Sequence, residues 1–355
     1  AVTNSRVDGL EARINEFEAG SFSETTTASF STDFYLGTVD GGTTTANEPV
    51  MATYGFQIDL NTSFTGEDSL DISLDGGNSR PLTGTSPTTS VIEFDGNATG
   101  DNLVVDGVSY TFPIAGATAF VADNGDASAL FTTACTYGGP TDFLDDCGNV
   151  NAGPTGGGVA FGSSYEFDNG ITIAAGYQAT DAQENLGIMT EESLDQYAFN
   201  VAYLTDSYGL SVTYAAVEDF ALADFAKEDT YTAFNGYFTP EGEGLPSISV
   251  GYEIGDDADP TTNVPTAFGA DLDQITSFFL GLQWDEGVVG PGTFGVAMGH
   301  SNTREEADEE YQYEAYYSYA VNDGMTLTPV IFTRESAVAG QDDATGIMLK
   351  TSFSF

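Results

Sequence analysis

Residues 346–355 read GIMLKTSFSF. Ile347, Leu349, Thr351, Phe353 and Phe355 alternate with Met348, Lys350, Ser352 and Ser354, the period of a β-strand, and the alternation runs to the last residue. Chain ends are ordinarily the least ordered part of a soluble domain. An aromatic, alternating end is explained if the last strand pairs with the first, because a sheet closed on itself leaves no free edge. That reading makes two demands on the rest of the chain: an even number of strands, and one apolar face throughout.

Upstream the same period recurs. The candidate strands are residues 28–38, 52–63, 68–75, 103–112, 116–123, 157–167, 171–180 and 194–204, then 208–217, 229–238, 247–254, 274–284, 292–300, 311–320, 325–333 and 346–355. They number sixteen if the short apolar piece 91–94 belongs to a loop. The connections alternate between tight ones rich in Gly, Asp and Asn, such as FTGED, FDNG and VNDGM, and long acidic ones. The long ones cover 39–51, 76–102, 124–156, 181–193, 218–228, 255–273, 301–310 and 334–345, so all lie at one end of the sheet.

Composition agrees. The 355 residues hold 42 Gly, 25 Phe and 18 Tyr, with 55 Asp+Glu against 7 Lys+Arg, a formal charge of −48. A disordered acidic chain is poor in aromatics, so this one is expected to fold, as an all-β protein. The bases Arg6, Arg13, Arg80, Lys227, Arg304, Arg334 and Lys350 are scattered, which excludes nucleic acid as a partner. Apolar runs fall far short of the ~20 residues that a spanning helix needs. No leader precedes Ala1 in this sequence, so a removed signal peptide or a trimmed form is expected.

Parity alone does not separate a soluble sandwich from a membrane barrel, because one buries its apolar face and the other turns it to lipid. The placement of aromatics does. Trp284, Tyr203, Phe167, Phe112 and Phe355 lie beside the short turns, and Tyr54, Tyr197 and Tyr311 near the long-loop ends, as interfacial belts require. The expected fold class is therefore all-β, a 16-stranded antiparallel transmembrane β-barrel over residues 26–355. A short N-terminal helix is expected before it: in residues 1–25, Val7, Leu10, Ile14 and Phe17 recur at spacings of three and four. That fits the oligomer seam of a coiled-coil connector and equally an amphipathic helix packed on its own domain; the seam is the expectation taken forward.

The segments VDGLEARINEFEAGSFS, GFQIDLNTSFTGEDSLDISLDGGN, LVVDGVSYTFPIAGATAFVADNG and GGGVAFGSSYEFDNGITIAAGYQA resemble, in the same order, cyanobacterial outer-membrane porins that carry an N-terminal S-layer homology domain. The resemblance covers nearly the whole chain. It implies a trimeric diffusion channel in outer-membrane lipid, with its N-terminus in the periplasm and tethered to peptidoglycan through that domain. This sequence lacks the domain and begins near the end of the family's connector, so wall binding does not carry over.

The chain offers little for catalysis, and no enzyme is expected. His300 is the only histidine, and it shares parity with Phe294, Val296 and Met298, as an interfacial residue would. GPTGGG at 153–158 lacks the Lys and Ser/Thr of a phosphate loop. No cofactor is expected beyond loosely bound Ca²⁺ or Mg²⁺, for which Asp123, Asp126, Asp256 and Asp257 are the candidate ligands.

Cys135 and Cys147 form an even pair at short spacing, which suggests a disulfide in an oxidising compartment. They lie in the third long loop, 124–156, the longest of the chain. Porins commonly fold such a loop inward, so it is the candidate constriction. The expected pore-lining residues are Asp126, Asp142, Asp145 and Asp146 on this loop, with Asp59, Asp71, Glu314 and Lys350 on the wall. The function expected is passive diffusion of inorganic ions and small polar solutes with a cation preference. The rival reading is an acidic β-rich surface protein, structural or adhesive, that assembles with calcium.

Overall fold

The period-two segments form sixteen strands in the computed structural model, which describes residues 25–41, 50–78, 97–141, 144, 146–155, 157–180, 182, 187–190, 193–218, 228–242, 244–256, 274–285, 287–304, 309–336 and 342–355. In chain order they are β1 (Thr26–Asp40), β2 (Met51–Thr62), β3 (Ser69–Gly77), β4 (Val104–Ile114), β5 (Ala117–Asp123), β6 (Val159–Glu166), β7 (Ile171–Ala179) and β8 (Asp195–Leu204). The second half holds β9 (Tyr208–Glu218), β10 (Glu228–Phe238), β11 (Ser247–Asp256), β12 (Gln274–Trp284), β13 (Thr293–Arg304), β14 (Gln312–Asn322), β15 (Met325–Arg334) and β16 (Ala344–Ser354). Each strand pairs antiparallel with its sequence neighbours, and β1 pairs with β16, so the sheet closes. The connector 1–25 with Val7, Leu10, Ile14 and Phe17, and the piece 91–94, lie outside the described residues except for Thr25.

Closure is made by residues 346–355. Register pairs run from Ser31↔Ser354 to Asp40↔Thr345. Beyond them Phe30 and Phe355 exchange both backbone hydrogen bonds, each at 3.0 Å, and their rings stack with centroids 5.6 Å apart. Phe34 meets Phe353 edge-on at 6.1 Å. The final phenylalanine thus latches the seam. Phe355→Ala is expected to weaken the closed barrel by about 0.5–1.5 kcal/mol, the worth of an aromatic pair beyond its buried area. A lower unfolding temperature on heated gels, with the sheet content unchanged, checks this.

Parity sorts the two faces. Phe199, Val201, Leu210, Val212, Phe234, Val250, Ile331 and Ile347 point outward and are exposed, while Ala198, Asn200, Ser211, Thr213, Asn235 and Ser249 point inward and are buried. An apolar exterior around a polar interior is the reverse of a soluble β-protein. Rings gather at both rims of the outer face: Tyr165 with Phe167, Tyr203 with Tyr208 and Trp284 with Phe294 at the short turns, and Phe278, His300 and Tyr311 at the long-loop end. His300 is buried among those rings and its Nδ1 is 2.9 Å from the Thr303 hydroxyl.

The first short turn shows how a tight connection is held without a helix. Asp68 Oδ1 accepts from the Phe64 and Thr65 amides at 3.0 and 2.8 Å and from the Ser63 and Thr65 hydroxyls, and Oδ2 accepts from Tyr110 at 2.7 Å. The Tyr110 hydrogen bond, followed by those of the turn, holds its carboxyl well below the usual carboxylate range. One side chain thereby fixes the turn and joins it to β4.

Candidate functional site

The interior is divided by the third long loop, residues 124–158 between β5 and β6. Its path follows from spacing. An extended chain advances about 3.3 Å per residue and strands lie about 4.8 Å apart, so a straight run from Thr132 to Gly138 covers roughly 20 Å, about four strand spacings. The loop does cross from β8 to β12 over this stretch. Every second amide finds a side chain on the wall beneath: Thr132 donates to Asn200 at 3.0 Å, Ala134 to Ser211 at 2.9 Å, Thr136 to Ser249 at 3.0 Å and Gly138 to Gln283 at 2.9 Å. Asn200 returns a bond to the Thr132 carbonyl at 3.1 Å. Nearer its start, the Ala127 amide donates to Gln178 at 3.0 Å. A buried backbone away from water needs such partners, and the alternation of polar residues on the inner wall supplies them.

Two carboxylates clamp the rest. Glu253 on β11 accepts from the Asn151 amide at 2.7 Å, the Asn151 side chain at 2.7 Å and the Ala152 amide at 2.8 Å. Glu314 on β14 accepts from the Tyr137 hydroxyl at 2.6 Å and from the Thr141 hydroxyl. Burial and the adjoining carboxylate push the Tyr137 phenol well above its ordinary value, so it remains the donor. Glycines on the wall make the seat. A Cβ on Gly176 would run into the Ala127 carbonyl, and one on Gly251 into the Cys147 carbonyl. Tyr137, Leu144 and Cys147 then pack with Phe279, Tyr316, Val330, Phe332 and Met348 in an apolar cluster that fills the β12–β16 side of the interior.

Cys135 and Cys147 are joined in a disulfide that ties the loop across this cluster. The Cys147 carbonyl accepts from Asn235 at 2.8 Å, so the bridge is also fixed to β10. Replacing both cysteines by serine is expected to destabilise the docked loop by roughly 2–3 kcal/mol on the chain-entropy estimate. Protease cleavage within 135–147 reads this out: the variant should be cut faster than the parent, with the barrel fragment pattern otherwise unchanged.

The adjoining wall, β1 to β4, carries acids, of which Asp59 and Asp71 are partly exposed and Asp106 is exposed. Asp59 and Asp71 face inward with part of their surface exposed, Asp59 accepting from Gln57 at 2.7 Å and Ser73 at 2.7 Å. Asp106, the extra residue at the register shift between β3 and β4, comes within electrostatic reach of Asp59, Asp75 and Asp126. Asp126 is partly exposed and accepts weakly from the Gly157 amide at 3.3 Å. Lys350 faces inward from the middle of β16, paired with Asp33 at 3.3 Å and lying 5.5 Å from the Tyr35 ring centroid. The other bases among the described residues, Arg304 and Arg334, end β13 and β15, and Arg334 pairs with Glu310 at 2.9 Å.

Several expected residues therefore sit together, and one differs in kind. Glu314 faces inward as its parity requires, yet it is only 4% exposed, because Tyr137 and Thr141 cover it. It is a loop clamp rather than a lining residue. Asp146 is exposed on the loop, while Asp142 and Asp145 lie outside the described residues. Of the candidate cation ligands, Asp123 and Asp126 flank the entry to the third loop, Asp256 ends β11, and Asp257 lies outside the described residues. No group of three or more metal-competent side chains forms among the described residues. Sequence reading did not single out Gln178, Ser211, Ser249, Gln283 and Glu253 as loop partners. Their inward parity was readable, but not whether water or the loop would cover them.

No family model matches the chain. It is 26% identical to an uncharacterized protein of Nostoc sp. (strain PCC 7120) over the whole of this chain and 70% of that protein. Among solved structures, a Rh. blastica porin mutant superposes with a TM-score of 0.58 at 12% identity, over 93% of this chain and all of the porin. OmpT of Vibrio cholerae, an outer membrane protein described in a trimer form, gives 0.56 at 10% identity over 94% of this chain and all of the other. The fold is that of the porin barrels.

Proposed function

We propose that the chain is an outer-membrane porin, a passive channel for inorganic ions and small polar solutes that prefers cations. The observation that carries this is the third loop: a closed sixteen-stranded barrel, apolar outside, has its interior narrowed by an inward loop but left open along an acidic wall. The apolar exterior supports a place in lipid, where a closed barrel satisfies every backbone group at the strand edges. The stretch of loop that crosses the interior, Ala127–Thr141, carries no charged residue, so the acids of β1–β4 set the field along the open path. Catalysis plays no part in this reading.

The likeness to porins, one of them described as a trimer, supports a homotrimer, and the resemblance to S-layer homology porins, whose N-terminus is periplasmic, supports short turns toward the periplasm. The resemblance to S-layer homology porins and the 26% identity to the Nostoc protein along the whole of this chain support a cyanobacterial origin. Membrane extraction tests the reading: the protein should need detergent and run as a heat-modifiable trimer on unboiled gels. Release by salt or by calcium chelation would favour the surface-protein reading instead, although a closed barrel lacks the two facing sheets that a sandwich needs.

A further inference from the structure

The outer face is not evenly covered by large side chains. Ala119, Ser163 and Ala175 lie in one row across β5, β6 and β7, as their register pairs show, and all three face outward. Phe112, Val121, Phe161, Tyr177 and Phe199 rise around them and enclose a depression of about 940 Å³. Small residues thus leave a slot flanked by these large groups. From this row the strands run on to Asp123, Val159 and Ala179 at the loop end, roughly 13 Å at about 3.3 Å per residue, within the reach of an acyl chain.

At the loop end the slot meets a rim of acceptors. Asp195, Glu218 and Glu228 have outward parity at the tops of β8, β9 and β10 and line the slot, Glu218 partly exposed, Glu228 exposed and Asp195 7% exposed. Each is held by the protein: Tyr177 donates to Asp195 at 2.6 Å, the Asp195 amide to Glu218 at 3.1 Å, and Tyr197 to Glu228 at 3.1 Å. The Met189 amide donates to the Tyr177 hydroxyl at 2.9 Å and closes the rim. A carboxylate offers about four lone-pair sites, so one bound donor leaves it able to accept more. A second outer depression, of about 550 Å³ between β13 and β1, has no charged residue in its lining and therefore lacks this feature.

We propose that the slot is a glycolipid site: one acyl chain lies over Ala119, Ser163 and Ala175, and an uncharged sugar head donates hydrogen bonds to Asp195, Glu218 and Glu228. Three acceptors spread over three strands call for donors on several separate atoms. A sugar has them, an ammonium is a single point, and an anionic phosphate is repelled. The inference rests on the outer face meeting lipid.

The test uses the purified detergent-solubilised protein, given an equimolar mixture of galactosyl diacylglycerol, phosphatidylethanolamine and phosphatidylglycerol with identical chains, and native mass spectrometry. The galactolipid should be retained roughly tenfold over the other two, a ratio of the size that separates well-matched from mismatched polar contacts. Ala175→Leu should abolish retention, and Ser163→Leu, from the next strand, should do the same. Glu218→Ala/Glu228→Ala should lose the preference for sugar while keeping the chain. Equal retention of the three lipids, or full galactolipid retention by both leucine variants, overturns the proposal. Bilayer recordings of the same preparations separate the causes: a chain that conducts without retaining galactolipid overturns the groove alone, and one that never inserts overturns the channel as well.

Discussion

Replacing Glu253 with alanine is expected to give a larger and fluctuating channel conductance in a barrel that stays folded. The carboxylate receives two amides and a side-chain amide from the third loop, all within 2.8 Å, and is 1% exposed. Removing it strands those donors, and each buried unsatisfied group costs about 1–3 kcal/mol. A total of roughly 3–5 kcal/mol shifts the ratio of docked to undocked loop by about two to three and a half decades, since every 1.4 kcal/mol is tenfold. The closing contacts between β1 and β16 are untouched, so heat resistance on gels should hold. Pairing the change with Glu314→Ala should leave the loop undocked and the conductance severalfold higher. Unchanged conductance in the double variant would mean that the loop does not limit the path.

The sequence made the barrel legible for physical reasons that do not extend to the loop. Period-two alternation, Gly and Asp in the short connections and aromatics at the strand ends each point to one architecture, and all sixteen strands fall within a few residues of their expected bounds. The departures occur where pairing outlasts pattern: β13 runs on to Arg304 because Ile275 and Thr276 remain opposite its end, and β16 begins at Ala344 opposite Arg334. The register shift at Ser73 and Leu74 is also silent in the sequence. Ser249 and Glu253 alternate with Val250 and Tyr252 as any polar lining would. Only the path of a loop about a hundred residues earlier makes them anchors. Gly176 and Gly251 read as ordinary strand glycines until the loop carbonyls are placed over them.

The second large effect concerns charge. Converting Asp59, Asp71, Asp75 and Asp106 to asparagine should reduce the cation preference by about an order of magnitude at 0.1 M salt, since a cleft lined by one sign of charge raises the local counter-ion concentration by tenfold or more. Lys350→Met should act in the opposite direction, because it releases Asp33 from its ion pair and removes the positive charge from β16 at the edge of the wall. Both effects should shrink at 1 M salt, where the Debye length falls from about 10 Å to about 3 Å. Neutralising Asp256, which ends β11, together with Asp257 should change the preference little, since Asp256 stands at the loop end of its strand, away from the acidic wall. Reversal potentials across a salt gradient rank the four proteins. Equal values for the asparagine variant and the parent would remove the acidic wall from the permeation path.

The most direct measurement is planar-bilayer recording of the purified parent protein under a tenfold potassium chloride gradient. Stepwise conductance increases with a reversal potential of the sign for cations are the result expected of a water-filled barrel whose open wall carries Asp59, Asp71, Asp75 and Asp106. The absence of steps from protein shown to be folded, or a reversal potential of the sign for anions, would contradict it.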